Sequence, residues 1–307
     1  MKLVKNVKTR TNTLMPLTGV ERRTSRMRNS GAGIAAILFV LTTLASSPAG
    51  AAQASADGGL EAAINGTQRS PANVERDRYR HPLQTLEFFG IKRDMTVVEV
   101  LPGGGWYTEI LAPFLHDHGR LIEATAPPTT SNPFMRRMAE KYRQKLDADP
   151  DVYGRVELQA FENPDYIDLG PPHSADMVLT FRNMHDLVYG NAHDEVTSAV
   201  LDEFLRSAYL VLKPGGVLGI VGHRADPDQP VGKTYRMGRL PESYVVQAAQ
   251  RAGFKLEASS DINANPKDPR DVPVWYLPPS LRSPEKDRAK YEAIGESDRM
   301  TLKFVKP

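Results

Sequence analysis

The chain has 307 residues, which suits one large or two small domains. Hydrophobic residues make up 40% and charged residues 25%, excluding a disordered or collagen-like chain, and only one strongly apolar stretch exists, excluding a multi-span membrane protein. With no cysteine there is no disulfide, thiolate metal site or cysteine nucleophile, and the charge of +2 hides a basic N-terminus and a mildly acidic body that does not favour nucleic acid.

Residues 1–52 hold eight Lys/Arg against one Glu. Arg22, Arg23, Arg26 and Arg28 precede an uncharged apolar run, GAGIAAILFVLTTLA, from Gly31 to Ala45. Small residues with A-x-A-like sites follow between Ala49 and Ala56. This three-part layout is that of a secretory signal, and a start at Met27 gives it better proportions than one at Met1. An uncleaved anchor is the alternative, although the run is short for a bilayer span of about 20 residues. The expectation is a periplasmic or secreted protein with no membrane span after cleavage. Residues 53–76 are small and polar and read as a linker or a loosely docked arm.

From Asp77 onward the chain alternates helices and strands. Asp77–Phe89 reads as a helix, Thr96–Val100 (TVVEV) as a strand, Trp106–Leu115 as a helix and Arg120–Thr125 (RLIEAT) as a strand. Pro133–Asp147 is an amphipathic helix, followed by strands at Arg155–Ala160 and Ala175–Phe181. Asp194–Leu212 carries Val196, Val200, Phe204, Ala208 and Val211 on one helical face and stops at Lys213-Pro214-Gly215-Gly216. Val217–Val221 is a strand, Pro241–Ala252 a helix, and Phe254–Ser259 and Met300–Val305 close the set. Such alternation predicts one α/β domain over residues 77–307, a doubly wound, mostly parallel sheet with helices on both faces.

The most informative segment is VVEVLPGGGWYTEIL, Val97 to Leu111: strand, glycine cluster, helix. Ligands of α/β sheets bind at the carboxyl ends of strands. Gly103, Gly104 and Gly105 offer side-chain-free backbone there, and the following helix N-terminus offers unpaired N–H groups. A tight strand–helix turn without a ligand would use glycine too. No G-x-x-x-x-G-K-[ST] is present, and the dinucleotide pattern would require a glycine where Thr108 stands.

The order of features resembles the class I S-adenosylmethionine-dependent methyltransferases. The resemblance rests on VVEVLPGGG, RLIEAT, AFEN, ADMVLTFRNMHDL, LVLKPGGVLGIV, RAGFKLEA and the closing MTLKFVKP, and it covers residues 77–307. The pattern PGGGWYTE with a terminal DRM-x-L-x-F-x-KP is most similar to exported bacterial proteins described only as predicted methyltransferases. It implies a seven-stranded Rossmann-like methyltransferase fold with S-adenosylmethionine as cofactor. Glu99, Gly103, Gly104 and Gly105 would then line the cofactor's amino-acid end, with Asn183 beside it. Glu123 would accept from the ribose, and Glu162 would sit near the adenine. This chain departs from the family at Leu101, where the first glycine usually stands, and at Thr125, where an acid usually ends the second strand. Pro102 also removes one N–H donor.

FRNMHDL places Arg182, Asn183, His185 and Asp186 at the carboxyl edge after the fourth strand, and GHRADPD places His223 and Arg224 after the fifth. His185 is a candidate base with an intrinsic pKa near neutrality, and otherwise a loop residue bonded to backbone. Asp186 and His223 complete the candidate catalytic set. Arg182 and Arg224 are candidate substrate contacts: Arg224 would grip an anion by a forked contact, or pair with Asp226 or Asp228 as a structural bridge. No H-E-x-x-H motif occurs, and no metal is expected. Residues 262–298 are long for a loop within a sheet and predict a lid over the substrate side, with Trp275 as a substrate contact and packing of Trp275 in a satellite core as the alternative.

Adenosylmethionine is made in the cytoplasm, whereas the N-terminus points outward. The readings are therefore an exported methyltransferase acting on a small molecule or envelope component, a ligand-binding protein on the same fold, or a dinucleotide oxidoreductase. The missing third glycine and the LKPGG–AGF pattern disfavour the last.

Overall fold

A computed structural model describes residues 59–307; the expected signal over residues 1–52 lies outside them. The centre of the fold is β1 (Thr96–Val100), a run buried beyond its first residue. It pairs in parallel with β2 (Arg120–Thr125) on one side and β5 (Ala175–Phe181) on the other. A central parallel strand is covered on both faces, which is why these segments read as near-continuous apolar runs. Adjacent residues point to opposite faces. Val98 and Val178 accordingly enter one core, with Phe204, Ile220 and Phe304. Val97, Met177 and Leu179 enter the other, with Phe89, Ile110 and Leu111.

The sheet continues through β3 (Glu157–Glu162) and the two-residue β4 (Tyr166–Ile167), and on the other flank through β8 (Leu212–His223), β9 (Lys255–Ser260) and β10 (Arg299–Val305). The order is β4-β3-β2-β1-β5-β8-β10-β9. The expected seven strands are all present, and β4 adds an eighth as a short antiparallel partner of β3. The last strand, β10, lies between β8 and β9 and runs antiparallel to both. Among the described residues no helix is long and apolar enough to cross a membrane.

Several boundaries differ from expectation for local reasons. The helix expected over Asp77–Phe89 is two helices, Asp77–Arg80 and Pro82–Phe89, because Pro82 disfavours helical geometry at His81, which sits at φ 41°. The long helix begins at Ala199, not Asp194. Before it lies a hairpin of β6 (Tyr189–Gly190) and β7 (Val196–Thr197). There the Asn191 side chain accepts from the backbone N–H of His193 at 2.8 Å and of Glu195 at 3.3 Å, a turn that competes with helix. The helix ends at Val211, just before the expected stop, and LKPGG also forms a bulge inside β8: the register against β5 jumps from Ala175↔Leu212 to Met177↔Val217. Gly215, at φ 77°, donates to the Lys306 carbonyl there.

The linker expected over residues 53–76 is, from residue 59, docked structure. Residues 59–64 are helical, and Leu60, Ala63 and Ile64 join the core of Phe89 and Leu111. Gln68 and Arg69 then fasten the segment, Gln68 Nε2 donating to the Glu109 carbonyl at 2.9 Å and Arg69 pairing with Asp77 at 2.6 Å. Residues 262–298 are also ordered. The guanidinium of Arg239 makes a forked contact with Asp268, at 2.8 and 3.1 Å, with both side chains fully buried. Asp268 in turn accepts from the Asp298 N–H at 2.7 Å, so the excursion is tied to the base of β10.

Candidate functional site

The loops after β1 and β5 leave the sheet side by side at its carboxyl edge, where strand order reverses about β1. Two adjoining cavities open there, of 340 and 650 Å³. They share Leu101, Gly103, Asn183, His185 and Asp186 as a common wall.

The glycine loop is shaped for close approach. Gly103 has φ 60°, and a Cβ added to Gly103 or Gly104 would meet no atom within 4 Å, so both face open space. Gly105 has a different reason to be glycine. It lines neither cavity, and a Cβ on it would lie 3.0 Å from the Tyr142 ring at φ 76°. The expectation that Gly105 borders the ligand gives way to a packing role. Leu101 adopts φ 55°, a left-handed conformation that costs a non-glycine residue roughly 1 kcal/mol. Its N–H donates to the Ala124 carbonyl at 2.8 Å, and the Asn183 side chain ties the same turn by donating to the carbonyls of Val100 at 3.1 Å and Leu101 at 3.0 Å. Asn183 is therefore a brace of the loop as well as a wall of both cavities.

The 650 Å³ cavity is bounded by Thr125 and Ala126 at the end of β2, by Phe134, Met135 and Met138 of the helix Pro133–Ala148, by Asn163 after β3 and by Trp275. Trp275 arrives on the excursion of residues 262–298. Glu123 reaches neither cavity. It is fully buried, directly opposite Glu99 in the strand register, which corrects the expectation that it meets a ribose. Thr125, two residues on, occupies the cavity wall instead. Glu162 also lines neither cavity; its carboxylate accepts from the Thr130 hydroxyl, while the adjacent Asn163 faces the cavity.

The 340 Å³ cavity holds most of the charge. Glu99 lines it, accepting from Thr108 Oγ1 at 3.3 Å, and burial pushes its carboxyl up to about 7. Burial and the Glu99 charge together push Glu123 well above the usual carboxylate range. His185 and His223 line the cavity with ring centroids 5.5 Å apart. Burial pulls both imidazoles below their ordinary value, His223 strongly, so both are neutral at neutral pH. His223 Nδ1 lies 2.5 Å from Ser297 Oγ, and His185 Nε2 lies 3.3 Å from Asp186 Oδ1. Asp186 sits at the mouth, its side chain half exposed. Among the described residues, no group of three or more His, Asp or Glu is arranged to hold a metal ion.

Arg182 faces this cavity at φ 69°, but Arg224 does not. Arg224 is consumed by Glu242 at 3.1 Å, Asp261 at 3.0 Å and Asp298 at 3.4 Å, so it is a structural bridge, with partners other than Asp226 and Asp228. The other cations at the cavity are ones the sequence did not single out. Arg76 and Arg80 enter from the broken N-terminal helix, and Arg299 lies behind them at the start of β10. All three bond the single carboxylate of Glu296, at 2.7, 3.3 and 2.8 Å. Arg80 also lies over the Trp106 ring, 4.6 Å from its centroid. No local motif announces this group: Arg76 and Glu296 are 220 residues apart.

Neither a protein-family model nor any curated protein matches the chain. Solved structures do match its fold. One is a SAM-dependent methyltransferase from Aquifex aeolicus, 16% identical, with 82% of this chain and 98% of that one aligned at a TM-score of 0.50. Another is geranyl diphosphate C-methyltransferase from Streptomyces coelicolor A3(2), 14% identical over 80% of this chain and 88% of that one, also at 0.50. A third, the [4+2]-cyclase SpnF, is 14% identical over 79% and 85%, again at 0.50. The fold is that of the SAM-dependent methyltransferases. Identity this low establishes architecture, and the cyclase on the same scaffold is a reminder that chemistry is decided by the site.

Proposed function

We propose that this chain is an S-adenosylmethionine-dependent methyltransferase, exported, and acting on a small molecule or envelope component. The observation that carries the reading is the cradle at Gly103 and Gly104, open to solvent-sized space at the carboxyl end of β1. The donor set suits an adenosyl amino acid. Thr125, Asn163 and the apolar face of Phe134 and Met138 would hold the adenosine, and the glycine loop the amino-acid end. The Streptomyces neighbour was solved with S-adenosyl-L-homocysteine, which supports the same class of ligand here. When bound, the cofactor supplies a methyl carbon already activated by its sulfonium, so positioning dominates the protein's contribution.

The chain's own residues then have separate tasks. Leu101 and Asn183 fix the loop, Trp275 shields the larger cavity from water, and neutral His185, on the shared wall, accepts a proton from an acceptor in the smaller cavity. Calorimetry of the full chain tests the reading. S-adenosylhomocysteine is expected to bind and NAD is not; heat with NAD alone would replace methyl transfer by a dinucleotide reaction. Export rests on the run Gly31–Ala45 and its flanks, outside the described residues. A reporter fused after Ala56 is expected to become active only outside the cytoplasm, and cytoplasmic activity would remove that part of the proposal.

A second reading, a ligand-binding protein without transfer, draws on the same cavities. Binding of adenosylmethionine with no conversion to adenosylhomocysteine in the presence of any acceptor would favour it.

A further inference from the structure

The smaller cavity carries a charge imbalance that the protein itself does not resolve. Arg76, Arg80, Arg182 and Arg299 all act on Glu296, the one carboxylate among them, and hold it well below the usual carboxylate range. Four guanidiniums thus face one buried full negative charge; Glu99, pushed up to about 7, is only partly ionised at neutrality, and Asp186 sits half exposed at the mouth. Three of the four have idle donors: Arg76 Nη2, Arg182 Nε and Arg299 Nε are buried and meet no acceptor, and of these three residues Arg76 and Arg182 line the cavity. Arg182 thus brings an unpartnered Nε into the lining of the cavity. Holding a cation in a desolvated site short of hydrogen-bond acceptors is costly, and desolvation pulls Arg182 down to about 10 although Glu296 opposes the shift. Such an arrangement is stable and useful when an anion completes it.

Resting on the methyltransferase reading, we propose that the 340 Å³ cavity is the acceptor site and that Arg76 and Arg182 take an oxyanion of the acceptor, a carboxylate or a phosphate group. No arginine or lysine lines the larger cavity, whereas Arg76, Arg80 and Arg182 line the smaller one; the cofactor's amino-acid end would reach the glycine loop where the two meet, and the cationic part of the smaller cavity is left for the acceptor. The size also fits an acceptor. At about 30 Å³ per water the smaller cavity holds roughly ten waters' worth of space, more than the carboxylate of a cofactor occupies. One part of its wall is aromatic, with Trp106 beside the stacked rings of Tyr107 and Phe181, whose centroids are 3.5 Å apart. The ligand it suits is therefore an anion carrying an apolar or aromatic body.

Titration of the full chain with benzoate and with inorganic phosphate, read by tryptophan fluorescence, tests this, because Trp106 and Trp275 line the two cavities. At least one probe is expected to bind, and Arg182→Gln and Arg76→Gln are each expected to weaken it about tenfold. Arg182→Lys keeps the charge and recovers part of that loss, and a thermal melt of each variant separates lost binding from lost fold. In the same variants the affinities for S-adenosylhomocysteine and methylthioadenosine are expected to stay within about threefold of the parent. Absence of binding by either probe overturns the proposal, as does binding that the variants leave unchanged. A loss confined to S-adenosylhomocysteine, with methylthioadenosine untouched, also overturns it, since the arginines would then be holding the cofactor's own carboxylate. Oxyanion binding without any adenosylhomocysteine binding would uphold the anion site and remove the methyltransferase reading beneath it.

Discussion

Glu99 and Glu123 face each other across β1 and β2, paired in register and both buried, with Glu123 at zero exposure. Two carboxyls so placed cannot both be ionised cheaply. The neutral partner is Glu123, which burial and its neighbour keep in the acid form, while Glu99 titrates at about 7 beside the smaller cavity. Thr108 and Tyr142 close over the pair, their hydroxyls 2.9 Å apart.

This pair sets a pH dependence with a definite sign. Both pKa values lie above those of an unfolded glutamate, near 4.3, so the folded state holds protons that the unfolded chain releases. The stability they contribute is present below that value and is lost as pH rises through about 7. Urea unfolding at several values between pH 5 and 8 is expected to show declining stability, and Glu123→Gln is expected to flatten the decline. An unchanged slope in that variant would show that the pair is not its source.

Gly103 faces the cavity in the left-handed region. Gly103→Leu places a side chain where the ligand is proposed to lie and adds backbone strain of about 1 kcal/mol. S-adenosylhomocysteine affinity is expected to fall at least about a hundredfold by calorimetry, with a small loss of thermal stability. Gly105→Leu is expected to reverse the balance, because its side chain meets Tyr142 and Lys145 in a packed region.

The buried Arg239–Asp268 pair anchors the excursion that carries Trp275. Asp268→Asn leaves a fully buried guanidinium without its counter-charge, a loss on the order of 3–5 kcal/mol. The melting temperature is expected to fall by roughly 10 °C, with Trp275 fluorescence shifting toward the solvent-exposed value before global unfolding.

His223 is buried against Ser297 and surrounded by Arg182, Arg239 and Arg299. These neighbours oppose a second positive charge. Nitrogen NMR of the imidazoles is expected to show His223 staying neutral well below the pH at which a free histidine protonates. Titration of His223 near the free value would mean that the pocket is wetter than its packing.

The sequence alone determined the strands and the place of the ligand loop. Apolar runs such as Val97–Val100 and Ala175–Phe181, and the cluster Gly103–Gly105, are local signals, and local signals survive without a fold. Local chemistry moved boundaries: the Asn191 turn and Pro82 each stopped a helix that the periodicity alone would extend. The tertiary structure decided which polar residues share a space. A strand pattern cannot reveal that Glu123 is sealed beneath Tyr142, that Arg224 is consumed by three carboxylates, or that Arg76, Arg182 and Arg299 converge on Glu296. Burial and ion pairing depend on residues far apart in the chain, and only the folded sheet brings them within a few ångströms.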